Sequence, residues 1–94
     1  MIKILIADDH AVVRRGLKQI AAEEPDMRVA GEAQNVPEVL ALAREQEWDV
    51  IVLDITMPGG SGLDVLRELK AERPRLPVLI LSMHPEDQFA LRAL

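Results

Sequence analysis

Cysteine is absent from the 94 residues, so neither disulfides nor thiolate metal sites contribute to this protein. Tyrosine is absent too, and Trp48 and Phe89 are the only aromatic residues, so the core must be built from Leu, Ile, Val and Ala. No apolar run approaches the ~20 residues that a membrane helix needs. The amino terminus turns polar at Asp8, too soon for a secretory signal. These absences point away from a membrane and towards the cytoplasm. The 11 basic residues are outnumbered by 16 acidic ones and form no cluster, leaving a net charge of −5. Nucleic acid and anionic lipid are therefore poor direct partners for this segment.

What is present is a chain of the size of one small domain, 49% hydrophobic and 29% charged, which favours a globular core over disorder. Two hydrophobic periods alternate along it. Ile2–Ala7, Asp49–Ile55 and Pro77–Ser82 are short apolar runs, the pattern of strands covered on both faces in a parallel sheet. Met27–Ala33 is more polar, as an edge strand would be. Between these runs, Ala11–Glu24 places Val13, Leu17, Ile20 and Ala21 on one helical stripe. The segment from Val36 to Glu47 groups Val39, Leu40 and Ala43, with Asn35 as N-cap and Glu38 three residues on. Leu63–Arg73 groups Leu63, Leu66 and Leu69, with Ser61 as its cap. A fourth helix is expected from Pro85 to Leu94, with Pro85 in its first turn and Glu86 and Asp87 at the positive end of its dipole. Proline and glycine gather at turns, notably Met57-Pro58-Gly59-Gly60. The order β-α-β-α-β-α-β-α with right-handed crossovers predicts an α/β fold, a doubly wound parallel sheet.

In such a sheet, ligands bind at the carboxyl ends of the strands, where strand order reverses. Asp8 and Asp9 finish the first strand and Asp54 finishes the third. With strand order 2-1-3-4, the first and third strands are neighbours about 4.8 Å apart, so the three carboxylates converge. Ser82 joins from the end of the fourth strand. Three carboxylates repel unless a hard cation compensates, and Mg²⁺ takes such oxygen ligands together with phosphate oxygens. Aspartate is a nucleophile for phosphoryl groups, and phosphoryl transfer depends on positioning and charge stabilisation. Taken singly, each residue has a plainer explanation: Asp9 an N-cap, Asp8 a solvated loop carboxylate, Ser82 a turn residue. His10 reads as a helix-start residue, because no second His or Cys stands at ligand spacing. Only the convergence speaks for a site.

The segments Ile4-Leu5-Ile6-Ala7-Asp8-Asp9-His10, Val52-Leu53-Asp54-Ile55-Thr56-Met57-Pro58-Gly59, Gly62 and Leu81-Ser82-Met83-His84 together resemble the receiver domain of response regulators from two-component systems, in particular the NarL/FixJ subgroup. The resemblance runs collinearly along the whole chain. It implies a flavodoxin-like fold phosphorylated on aspartate by a histidine kinase. By position, Asp54 matches the phosphoacceptor, and Asp8 and Asp9 the acidic pair around Mg²⁺. The main-chain carbonyl of Thr56 matches the remaining metal ligand, and Ser82 the switch hydroxyl. Receivers have a fifth strand opening with a lysine, then a fifth helix, and this subgroup adds a DNA-binding output domain. None of these is found here, so residues 1–94 read as a receiver domain lacking its last βα element. Lys3, Lys18 and Lys70 are not placed to replace the lysine. The expected role is signalling rather than enzymatic turnover, with DNA reached only through an output domain outside this chain.

Two other readings are a phosphohydrolase of the haloacid dehalogenase type and a receiver-like module that is never phosphorylated. The first needs an Asp-x-Asp arrangement after the first strand, where this chain has Asp8-Asp9. The intact acidic triad argues against the second for the parent protein, while residues 1–94 by themselves leave it open. One physical expectation concerns association: Val78-Leu79-Ile80-Leu81 would be an unprotected edge strand, inviting self-association through the fourth strand and the first helix.

Overall fold

The apolar runs become strands because each finds cover on both faces of one sheet. The computed structural model describes residues 1–83 and 89–93. Its elements are β1 (Ile2–Ala7), α1 (Ala11–Ala22), β2 (Met27–Ala33), α2 (Val36–Glu45), β3 (Val50–Asp54), α3 (Gly62–Glu72), β4 (Val78–Met83) and β5 (Phe89–Ala93). The sheet order is β2-β1-β3-β4-β5. The first four strands are parallel, in the expected 2-1-3-4 arrangement, with the polar β2 at the edge.

Alternation along each strand divides the core. Leu5 and Ala7, Ile51 and Leu53, Val78 and Ile80 face α2 and α3, where Val39, Ala43, Val65 and Leu69 are buried. Ile4, Ile6, Val52 and Leu81 face the other way, against Val13, Leu17 and Ala21 of α1. Among the described residues, one face thus carries two helices and the other one. Next to α1 the second face is incompletely filled, leaving a hollow of about 590 Å³ lined by Ile4, Ile6, Leu17, Ile20, Val52 and Leu79.

Helix ends follow local chemistry. Asn35 caps α2 by accepting a bond from Glu38 N at 2.9 Å, and Glu38 reaches back to Gln34 N at 2.7 Å, one residue earlier than in the usual reciprocal box. Ser61 is the N-cap of α3, but its hydroxyl makes no capping bond. Two helical stripes are rotated from their expected phase. Ile20 is 63% exposed, lying beyond the part of the sheet that α1 covers, and Leu63 is 53% exposed because Val65 takes the inward position.

The end of the chain differs from expectation. The fourth helix predicted from Pro85 to Leu94 does not form over Phe89–Ala93, which instead pairs antiparallel with β4, from Met83↔Phe89 to Leu79↔Ala93. Residues 84–88, which carry Pro85, Glu86, Asp87 and the ring of His84, lie outside the described residues. Phe89-Ala90-Leu91-Arg92-Ala93 sets its two large apolar residues, Phe89 and Leu91, two positions apart, so it suits a strand as well as a helix turn. The backbone groups along β4 settle the competition, since an open edge leaves donors and acceptors without partners. The fourth strand is therefore not an exposed edge, and self-association through it is removed as an expectation.

Candidate functional site

The carboxyl ends of β1 and β3 meet because Ala7 pairs with Leu53 across the two central strands, so the residues that follow each leave the sheet side by side. Asp8 is fully buried and Asp54 is 4% exposed, the two polar residues within the described core. The Asp8 carboxylate is not the solvated loop group that its position suggests. Its Oδ1 accepts bonds from His10 N at 2.7 Å and lies 3.0 Å from His10 Nδ1. Its Oδ2 is buried and has no hydrogen-bond partner among the described residues. Burial raises the Asp8 carboxyl above its ordinary value, partly opposed by the His10 amide and ring, with Asp54 adding a further upward push.

Asp9 is not the cap of α1. His10 holds that position with extended backbone angles, and its ring makes no capping bond. The ring turns instead towards the carboxylates, with Nδ1 3.2 Å from Asp9 Oδ1 and 3.9 Å from Asp54 Oδ2. Its bond to Asp8, together with the charges of Asp9, Asp8 and Asp54, raises the imidazole above its usual value against a small opposing burial. One ligand atom from each of Asp8, Asp9, His10 and Asp54 falls within a 4.8 Å cluster.

Asp54 is held by its own loop. Thr56 N and Thr56 Oγ1 both donate to Asp54 Oδ1, at 3.0 and 2.8 Å. Oδ2 carries no hydrogen bond among the described residues. The chain then turns through Gly59, whose φ of +94° is a region that side-chain-bearing residues rarely occupy. Pro58 O accepts Val36 N at 3.1 Å, tying this turn to the start of α2. Gly62 begins α3 so close to Ile55 that an added Cβ would stand 2.3 Å from Ile55 Cα. Ser82 is placed by register: Asp54 pairs with Leu81, so Ser82 follows one position on, at the carboxyl end of β4. Its side chain lies outside what is described.

Arg14 was missed in the sequence because an arginine on an amphipathic helix reads as a solvated charge. Its side chain is 13% exposed, and it joins the carbonyl of Asp8 (2.8 Å) to Glu32 (3.0 Å), fixing the loop after β1 to β2. The lysines lie elsewhere. Lys3 sits over Trp48 and bonds Gln46, Lys18 pairs with Glu32, and Lys70 bonds the carbonyls of Pro74 and Leu76.

The acidic cluster fits a hard divalent cation on this structure's own terms, because Asp8 Oδ2 is a buried acceptor without a donor at a point where negative charge is concentrated. A flavodoxin-like parallel sheet with such a pocket across its two central strands defines a class of signalling domain, the receiver. The chain belongs to the response regulator receiver domain family, which it matches over residues 4–94. It is 39% identical, over its full length, to the DNA-binding transcriptional activator DevR/DosR of Mycobacterium tuberculosis, covering 43% of that protein. It is 42% identical over 86 residues, or 89% of this chain, to the nitrate/nitrite response regulator protein NarL of Escherichia coli, covering 40% of it. Among solved structures, a LuxR-family two-component response regulator from Aurantimonas sp. SI85-9A1 superposes with a TM-score of 0.80 at 33% identity. That match covers 87% of this chain and 59% of the other. The chain thus spans well under half the length of the curated relatives. Family membership decides against the phosphohydrolase reading.

Proposed function

We propose that this domain accepts a phosphoryl group on Asp54 from a histidine kinase and passes the signal to a DNA-binding output domain outside residues 1–94. The observation that carries this is the asymmetry of the Asp54 carboxylate. Two bonds from Thr56 hold Oδ1, while Oδ2 lies 3.9 Å from the His10 Nδ1 that also touches Asp8 and Asp9. Oδ2 is then the attacking atom: its bond to phosphorus forms as the phosphorus–nitrogen bond of the kinase phosphohistidine breaks, the nitrogen keeps the electron pair, and the ring leaves as neutral imidazole because its other nitrogen carries a proton. Asp8, Asp9, Asp54 and the main-chain carbonyl of Thr56 would hold Mg²⁺, which when bound supplies positive charge to the phosphoryl oxygens. Arg14 keeps the loop bearing Asp8 and Asp9 in place. Ser82, one position beyond the partner of Asp54, is assigned as the switch hydroxyl.

This role is one of signal transfer rather than turnover of a substrate. The named relatives are a DNA-binding transcriptional activator and two response regulators, which supports a cytoplasmic location. No helix among the described residues is long and apolar enough to cross a membrane. With the β4 edge taken, we assign any self-association to the hollow beside α1. Labelling tests the central reading: a phosphorylated kinase domain with Mg²⁺ should mark Asp54 alone, and Asp54→Asn should abolish the label. Label on another residue, or label persisting in the variant, refutes it. Since no lysine reaches Asp54, small phosphoryl donors should label this chain slowly.

A further inference from the structure

Among the described residues of this site, the ring of His10 is a polar group that the proposed phosphoryl transfer does not use. We propose that His10 Nδ1 is an additional ligand of the cation centre and tilts it towards divalent ions of borderline softness, such as Co²⁺ and Ni²⁺, relative to Mg²⁺. This rests on reading the carboxylate cluster as a cation site. Three observations carry it.

The first is spacing. Ligands at about 2.1 Å from an octahedral ion stand roughly 3.0 Å apart when adjacent and about 4.2 Å when opposite. His10 Nδ1 lies 3.0 Å from Asp8 Oδ1, 3.2 Å from Asp9 Oδ1 and 3.9 Å from Asp54 Oδ2. Those values place the His10 nitrogen within the ligand spacing of one coordination sphere. The second is orientation. His10 is the N-cap residue of α1, yet its side chain does not serve the helix, and its backbone is fixed by the 2.7 Å bond to Asp8. The ring therefore projects over the carboxylates from an anchored position. The third is the buried, unpartnered Oδ2 of Asp8, whose other oxygen touches the ring, an acceptor that a cation would satisfy.

The chemistry then follows from ligand type. Carboxylate and carbonyl oxygens suit Mg²⁺, whereas imidazole suits the later first-row metals, whose affinities rise towards nickel and copper. A bound ion would take the Nδ1 lone pair, with the ring proton on Nε2. The ring is 49% exposed, so it can exchange its contact to Asp8 for a metal without unpacking the core.

The test is a pair of titrations of the whole chain, Ni²⁺ and Mg²⁺ separately, by calorimetry and amide shifts, on wild type and His10→Ala. The variant should bind Ni²⁺ at least about tenfold more weakly, since even partners beyond the ligand shell are worth that much. Its affinity for Mg²⁺ should fall by less, so that the ratio of Ni²⁺ to Mg²⁺ affinity drops at least about fivefold. Co²⁺ added to the wild type should shift the His10 ring signals strongly, a readout that does not depend on the variant folding. Equal loss for both ions, no loss for Ni²⁺, or unshifted ring signals with Co²⁺ bound would each overturn the assignment while leaving the cation site intact. If Asp9→Ala and Asp54→Ala leave Mg²⁺ binding unchanged, the cation site itself fails, and the ligand role falls with it.

Discussion

Replacing Gly62 by alanine should destabilise this domain even though alanine is the better helix former. Gly62 opens α3, and a Cβ there would sit 2.3 Å from Ile55 Cα, 2.7 Å from its carbonyl oxygen and 2.8 Å from its carbonyl carbon. All three atoms are backbone, so no rotamer change relieves the contact. Either α3 or the loop after β3 must move. Overpacking of this kind costs about 1–3 kcal/mol, against a gain in helix propensity of at most about 1 kcal/mol. A net loss near 1 kcal/mol lowers Tm by roughly 4–8 °C in a domain of this size. Gly16 is the internal control. It lies within α1 with nothing within 4 Å of a built Cβ, so Gly16→Ala should gain about 0.5–1 kcal/mol. Circular-dichroism melts of both variants decide the matter. Because Ile55 follows Asp54 directly, Gly62→Ala should also weaken Mg²⁺ binding, whereas Gly16→Ala should not. A Gly62→Ala protein that melts at or above wild type would show that the contact with Ile55 is not a constraint.

Other consequences can be checked on the same material. Asn35→Ala removes the bond to Glu38 N and should cost about 1 kcal/mol, read from urea midpoints. Glu32 is held below the usual carboxylate range first by its bond to Lys18, then by Arg14. A lowered folded-state value means that this stabilisation is present above the unfolded value and is lost as pH falls through the folded one. Wild type should therefore exceed Glu32→Gln by about 0.5 kcal/mol near neutral pH, discounted for its exposure, and the two should converge in acid; a constant gap would refute the ionic origin. Burial raises Asp8, so its ionised form opposes folding. Asp8→Asn should then melt higher than wild type in chelator while losing its response to Mg²⁺, and a lower melting point would contradict this.

Much of the architecture was legible because parallel strands buried on both faces leave continuous apolar runs, and Asp54 stood out as an acid ending such a run. The helices were legible in extent but less so in phase. Leu63 and Val65 are both apolar, and the packing of α3 on the sheet turns Val65 inward and leaves Leu63 outside. The final segment misled because its residues tolerate either a helix or a strand, and the outcome was set by unpaired backbone along β4, a partner the local sequence does not reveal. At the site, the carboxylates were found by position. His10 and Arg14 were not, because a histidine at a helix start and an arginine on a helix surface are ordinary until the loop between Ala7 and Ala11 is folded.

The register that joins Ala7 to Leu53 has a thermodynamic consequence. Asp8 and Asp54 belong to distant stretches of chain, brought together only after β1 and β3 pair across an intervening crossover, so the unfolded polypeptide keeps only the contiguous Asp8-Asp9-His10 part of the cluster and holds an ion far more weakly. A cation bound at the native cluster therefore adds RT ln(1 + [L]/Kd) to the unfolding free energy, about 2.7 kcal/mol at a hundredfold excess over Kd. Occupancy and melting temperature become the same measurement. A series of melts at increasing Mg²⁺ gives the binding isotherm without a spectroscopic probe at the site, and a variant too unstable to study alone should be recovered by ion concentration.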